Sequence, residues 1–167
     1  MKRFLTFFLL TLSISSYSQD NPYESWDNNY KEVDFKRLIK MEIAYADSVE
    51  NNPEETQFFV RQEGYRFEAI FTGNWRNINQ TQIDVMKKVY KLFSGNSEIL
   101  DTIKKEVEIK LDSGTIWMPI QPILEKPFKK EVKKNSSVYL YTLFFNMHTV
   151  SGELYNIFLI SEFINGN

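Results

Sequence analysis

Between Phe35 and Val49 the apolar residues Phe35, Leu38, Ile39, Met41, Ala44, Tyr45 and Val49 recur every three or four positions. That period gathers them on one broad stripe of an amphipathic helix, which must be buried against something. Asp34 stands where an N-cap belongs, and Asn51-Asn52-Pro53 ends the helix. The period then changes to two. Tyr65, Phe67, Ala69 and Phe71 alternate with Arg66, Glu68, Ile70 and Thr72, which predicts a strand with one buried face. Gly64 is expected to turn the chain from a preceding strand over residues 57–61. Helical spacing returns with Ile83, Met86, Val89, Tyr90 and Phe93. A capping box of Thr81 and Asp84 opens that second helix and Gly95 stops it.

From Glu106 onward Val107, Ile109 and Leu111 alternate with charged residues, and Asp112-Ser113-Gly114 supplies hairpin chemistry. The return strand runs from Thr115 to Ile120, and Pro119 and Pro122 confine it to an edge or a strand end. A connecting segment with Pro127 and a group of lysines follows. Val138 to Met147 and Leu154 to Ile164 are apolar at nearly every position and are joined near Ser151-Gly152. Such runs belong to strands covered on both faces, so this pair is expected at the centre of the sheet.

This order predicts an α+β fold with helices packed on a strongly curved antiparallel sheet, or a small β-barrel of OB or SH3 type built from residues 105–164. The element order is also similar to the cone-shaped domains of the cystatin-like and NTF2-like groups. That similarity is one of order alone and assigns no residue a role.

The N-terminus has a different grammar. Met1, Lys2 and Arg3 precede the apolar run Phe4 to Leu12, and Ser16 and Ser18 offer small residues before a cut at Gln19. This is the pattern of a cleavable secretory signal. The run is well short of the roughly 20 apolar residues that a spanning helix needs. The expected organisation is a signal peptide over residues 1–18, a flexible leader over 19–32, loose or laid over the surface, and one globular domain over 33–167. The expected location is the periplasm or the outside medium, with no transmembrane segment in the mature chain.

Composition narrows the chemistry. The chain has no cysteine, so disulfides, thiol catalysis and a lipid-modified cysteine are excluded, and stability must come from core packing. About 150 mature residues suffice, since a domain of that size buries about two thirds of its unfolded surface. Most of the 14 Phe, 9 Tyr and 3 Trp are expected in that core. Without Lys2 and Arg3 there remain 18 basic against 22 acidic residues, a net charge of −4. Nucleic acid is therefore not an expected partner.

His148 is the sole histidine, so any Ser-His-Asp machinery must be built on it, and no Gly-x-Ser-x-Gly elbow supplies the serine. It reads as a surface-loop histidine that Asn146 and Glu153 could join in a small polar cluster. One imidazole and no thiolate make a poor zinc site, no calcium-loop pattern occurs, and no cofactor is expected. Glu106 and Glu108 share a strand face and have the residue types of a glycoside hydrolase pair. Alternating charge on a half-solvated strand explains them more simply. Lys126, Lys129, Lys130, Lys133 and Lys134 form the densest charge group in the mature chain. They suit an anionic glycan, phospholipid headgroups or an acidic partner, against the simpler reading of a solvated loop. Trp75, Trp117, Tyr139 and Tyr141 are candidates for an aromatic groove that holds an extended ligand, against the simpler reading of core.

By exclusion, the sequence points to an exported, non-enzymatic binding or protein-interaction domain of a bacterial cell envelope, with an envelope protein or glycan as partner. The alternatives are a periplasmic inhibitor or immunity protein against a secreted toxin or hydrolase, and a carboxylate-based enzyme with a cone-shaped pocket.

Overall fold

The structure, a computed structural model, describes residues 23–52, 59–149 and 152–166. The segment read as a secretory signal lies outside them. Among the described residues four α-helices, α1 (Glu24–Asn29), α2 (Phe35–Glu50), α3 (Gln80–Ser94) and α4 (Pro122–Glu131), accompany one sheet. Its strands are β1 (Lys31–Glu32), β2 (Phe59–Asn77), β3 (Lys105–Leu111), β4 (Gly114–Pro119), β5 (Ser137–His148) and β6 (Leu154–Asn165). The main path is β4-β3-β2-β5-β6, all antiparallel, and β1 pairs parallel with β2. The class is therefore α+β with helices on an antiparallel sheet. The sheet curls until Ile120, just after β4, bridges Ile160 of β6. Beyond that bridge β4 and β6 do not pair, so no barrel is closed.

Two apolar clusters occupy the two faces. On the first face, α2 and α4 cover Phe67, Phe71, Val107, Ile109, Leu140, Phe144 and Phe158. On the second, α3 brings Ile83, Met86 and Val89 onto Phe145, Met147, Ile157 and Leu159. This double cover explains the continuous apolar runs of β5 and β6. The expectation that both are central is corrected, because β6 is the last strand of the path and β2 is the middle one.

Strand β2 runs unbroken for 19 residues, so the turn expected at Gly64 is absent. The glycine serves close approach instead. A Cβ at Gly64 would lie 2.6 Å from the backbone oxygen of Asn29, where α1 ends. Residues expected to form a leader thus include α1 and β1, laid against the sheet. The bend in β2 comes later, at a register shift between Phe71 and Trp75. Gly73 has a φ of +93° there, which favours glycine.

Helix α2 begins where expected, with Asp34 accepting from Arg37 N–H at 2.9 Å. Its rotation differs from expectation. Phe35, Leu38, Glu42, Ala46 and Val49 face inward, while Met41 and Tyr45 are 58% and 45% exposed. The inward row carries a carboxylate because Glu42 meets Arg61 of β2 in a salt bridge. Helix α3 is capped by Asn79, which accepts from Thr81 N–H at 2.8 Å, so the cap precedes the box expected at Thr81. The segment between β4 and β5 is not a loop. It forms α4, with Pro122 in its first turn, Pro127 inside and Phe128 fully buried.

Pro119 is accommodated by strand geometry. Ile120 N–H donates to Lys105 C=O at 3.1 Å, so the backbone groups of Thr115, Trp117 and Pro119 turn away from β3, where a missing N–H costs no bond of the β3–β4 ladder. Gly64→Ala should force the end of α1 away from β2. Urea unfolding should then show a loss of about 1–3 kcal/mol and Trp26 emission should shift toward that of exposed indole; unchanged stability would contradict the proposed contact.

Candidate functional site

The sequence candidates fall at separate places. Trp75 packs on the first face against Phe71 and Phe128, with ring centroids 6.1 and 5.9 Å away, and Lys129 Nζ lies 4.4 Å from its own ring centroid. Trp117 projects to the second face, opposite Met118 and Ile120. The Arg76 guanidinium lies 4.2 Å over its ring. Tyr139 and Tyr141 share that second face at 5.6 Å, but β3 and β2 separate them from Trp117. The four aromatics do not line one groove.

Tyr141 is instead enclosed by the chain's own N-terminal segment. Trp26 and Tyr30 lie 5.3 and 5.5 Å from its ring, and its hydroxyl donates to Asp27 Oδ1 at 2.9 Å. Asp27 also pairs with Arg66, and Tyr30 shares a hydrogen bond of 2.9 Å with Ser161. Burial, with the Asp27 carboxylate beside it, pushes the Tyr141 phenol up to about 12. These contacts had no sequence signal, because α1 is short and aperiodic.

A polar group lies beneath α2. Arg61, paired with Glu42, has its guanidinium 5.3 Å from the Phe144 ring and its Nε 3.7 Å from Glu63. Glu63 also accepts from Lys31 Nζ at 2.8 Å and from the Tyr65 hydroxyl at 3.2 Å. Burial acts to raise the Glu63 carboxyl, but the Lys31 bond and the charges of Lys31 and Arg61 prevail and lower it. Burial pushes the Tyr65 phenol up to about 12. Glu42 at i+4 from Leu38 was the available sequence signal, since it falls in the row that the helix buries.

His148 is buried at the end of β5, not on a surface loop, and its partner is Glu50 of α2 at 2.9 Å. Asn146 donates to Asn156 at 2.8 Å, and Glu153 accepts from the Tyr155 hydroxyl at 3.1 Å. His148 Nδ1 has no partner among the described residues. Among the described residues no hydroxyl reaches that nitrogen, so none of them supplies a triad nucleophile there.

Glu106 and Glu108 are each held. Arg76 Nε donates to the fully buried Glu106 at 2.6 Å. Glu108 accepts from Asn74 Nδ2 and Thr72 Oγ1, both at 2.7 Å, and these bonds keep its carboxyl below the ordinary range. A general acid needs the opposite shift. Among the described residues no group of three or more His, Cys, Asp or Glu is placed to hold a metal, and no helix is long and apolar enough to cross a membrane.

Two surface features remain. The first is α4 and the turn after it. Lys126, Lys129 and Lys130 share one side of α4, Lys133 follows its end, and the stem of Lys134 packs over Gly73. The second is a cleft of about 710 Å³ beside β2, lined by Phe67, Glu68, Ile70, Leu111, Lys36 and Lys110 among others.

No protein-family model, curated protein or solved structure matches this chain.

The buried phenols give the fold an alkaline limit. Between pH 10 and about 12 the unfolded chain releases phenolic protons that Tyr65 and Tyr141 keep when folded. Their contribution is therefore whole below pH 10 and is lost toward pH 12. Urea unfolding across that window should show falling stability, and Tyr141→Phe and Tyr65→Phe should each flatten the fall; parallel profiles for wild type and both variants would contradict it.

Proposed function

We propose that this chain is an exported, non-enzymatic binding domain of the cell envelope, and that the basic face of α4 contacts an anionic envelope glycan. The observation that carries this reading is the state of the five lysines. Lys126, Lys130, Lys133 and Lys134 are exposed and have no ion pair among the described residues. Lys129 reaches Glu125 at 3.8 Å and covers Trp75. Other described cations divide between those paired with carboxylates, Lys31, Arg61, Arg66, Arg76 and Lys87, and those without an ion pair, such as Lys36 and Lys110, so the density of the α4 group is what sets it apart. A helix C-terminus attracts cations, which accounts for Lys129 and Lys130 in the last turn. It does not account for Lys126, Lys133 and Lys134. A row of solvated ammonium groups on an acidic protein suits a polyanion, whose charges it can follow at helical spacing. The non-enzymatic part is supported by the ion pairs of Glu42 and Glu106 and by the hydrogen bonds that lower the Glu108 carboxyl. Export rests on the N-terminal sequence pattern.

The probe is an immobilised uronic-acid polymer. Full-length protein should be retained in a salt-sensitive manner. Lys126→Glu, Lys130→Glu and Lys133→Glu together should weaken retention by about tenfold or more without lowering the melting temperature. Equal retention of the triple variant would refute the α4 contact.

A further inference from the structure

A separate pocket of about 560 Å³ lies between α3 and the second face of the sheet, at the end where β2 begins and β5 stops. Its wall is apolar. Val60 and Met147, opposite each other on β2 and β5, form the floor, and Val89 and Leu92 of α3 form one side. Lys88 and Lys91 stand beside them, three and four residues before and one before Leu92 along the same side of the helix. Leu92 is 65% exposed although it belongs to the wall, so an apolar occupant would cover it.

The two ammonium groups are the polar groups that this pocket offers. Thr149, which also lines it, donates its N–H to Glu153 C=O at 2.9 Å, accepts from Gly152 N–H at 2.9 Å and takes Glu153 N–H on Oγ1 at 3.1 Å. Helical backbone bonds run along the axis of α3, and strand backbone groups lie in the plane of the sheet, not above its face. Nothing in the wall therefore reads the amides of a peptide. No described carboxylate lines the pocket. Asp84, one turn before Lys88, accepts from Gln80 Nε2 at 2.9 Å, and Glu153, beyond Thr149, accepts from the Tyr155 hydroxyl at 3.1 Å. Lys88 and Lys91 are exposed and have no ion pair among the described residues, whereas the adjacent Lys87 pairs with Asp101. The C-terminus of α3 suits a cation at Lys91. It accounts for neither Lys88 nor the exposed Leu92.

We infer that this pocket binds the alkyl chain of a fatty acid and that Lys88 and Lys91 hold its carboxylate. A wall without free hydrogen-bonding groups suits a hydrocarbon chain, which has none to satisfy, and the volume is in the range of small-molecule sites. Two ammonium groups with no carboxylate among the described lining residues require the polar end to be an anion. A peptide would strand its amides there. The pocket belongs to the second-face cluster and α4 to the first, so this inference is independent of the glycan contact.

The test titrates full-length protein with myristic acid, its methyl ester and tetradecylamine, each below the concentration at which it aggregates. The acid should bind saturably, and the ester and amine should bind about tenfold more weakly. Lys88→Gln with Lys91→Gln should remove the preference for the acid, and Lys126→Gln, on α4, should not. Leu92→Ser, at an exposed position, should weaken acid and ester alike by about threefold or more. Bound acid should also shift the methyl resonance of Met147 and leave that of Met118, sealed in the first-face core, unmoved. This readout separates the pocket from a general attraction to lysines. Equal binding of acid and amine, an acid preference that survives the double variant, an unmoved Met147 methyl or the absence of binding by the acid would each overturn the inference.

Discussion

Every backbone donor and acceptor along a buried strand must find a partner, and in this fold that demand falls hardest on β2. At 19 residues it is longer than any of its neighbours, so no single strand satisfies either edge. Strand β5 covers the first part of one edge, and beyond it Phe71 bonds to Ser136 and Asn135. The other edge is shared by β1 and β3 from opposite ends. The bend at Gly73, the docking of residues 31–33 and the open cleft all follow from how that one strand is shared out.

Charge plays a supporting part. Glu42–Arg61 ties the middle of α2 to β2, and Glu106–Arg76 ties β3 to the far end of the same strand. Ion pairs of this kind add little net stability over well-packed apolar groups. They make a wrong rotation or register costly, because a misplaced helix would strand a buried carboxylate without its cation. That accounts for an otherwise odd feature of α2, which leaves Met41 and Tyr45 in water while taking Glu42 inside.

Much of the fold was legible because period and burial agree. The extents of α2, α3, β3 and β4 follow from helical spacing and alternation, and those of β5 and β6 from continuous apolar runs. The rotation of α2 was not, since the period marks Met41, Ala44 and Tyr45 as readily as the row that is buried. Gly64 misled because glycine marks both a turn and a close approach of backbones, and only the second is used. Helix α4 was hidden by its two prolines and its lysines, although Leu124, Phe128 and Val132 recur every four residues and pack on the core. The candidate surfaces were half legible. The lysines could be named, but the cleft depends on where β1 and β3 stop along β2, which no local pattern records. The aromatics could be named too, but their separation is a matter of strand order.

The docking of α1 has a consequence for the timing of folding. Asp27 meets Tyr141 across 114 residues, and Tyr30 meets Ser161 across 131. Neither contact exists until β5 and β6 are in place, and loop closure over such distances rewards nothing beforehand. The contacts of Trp26, Asp27 and Tyr30 with β5 and β6 are therefore completed late, although β1 can pair with β2 as soon as that strand is made. For a chain read as exported, the enclosure of Tyr141 by Trp26, Asp27 and Tyr30 is then a step that only the finished sheet allows.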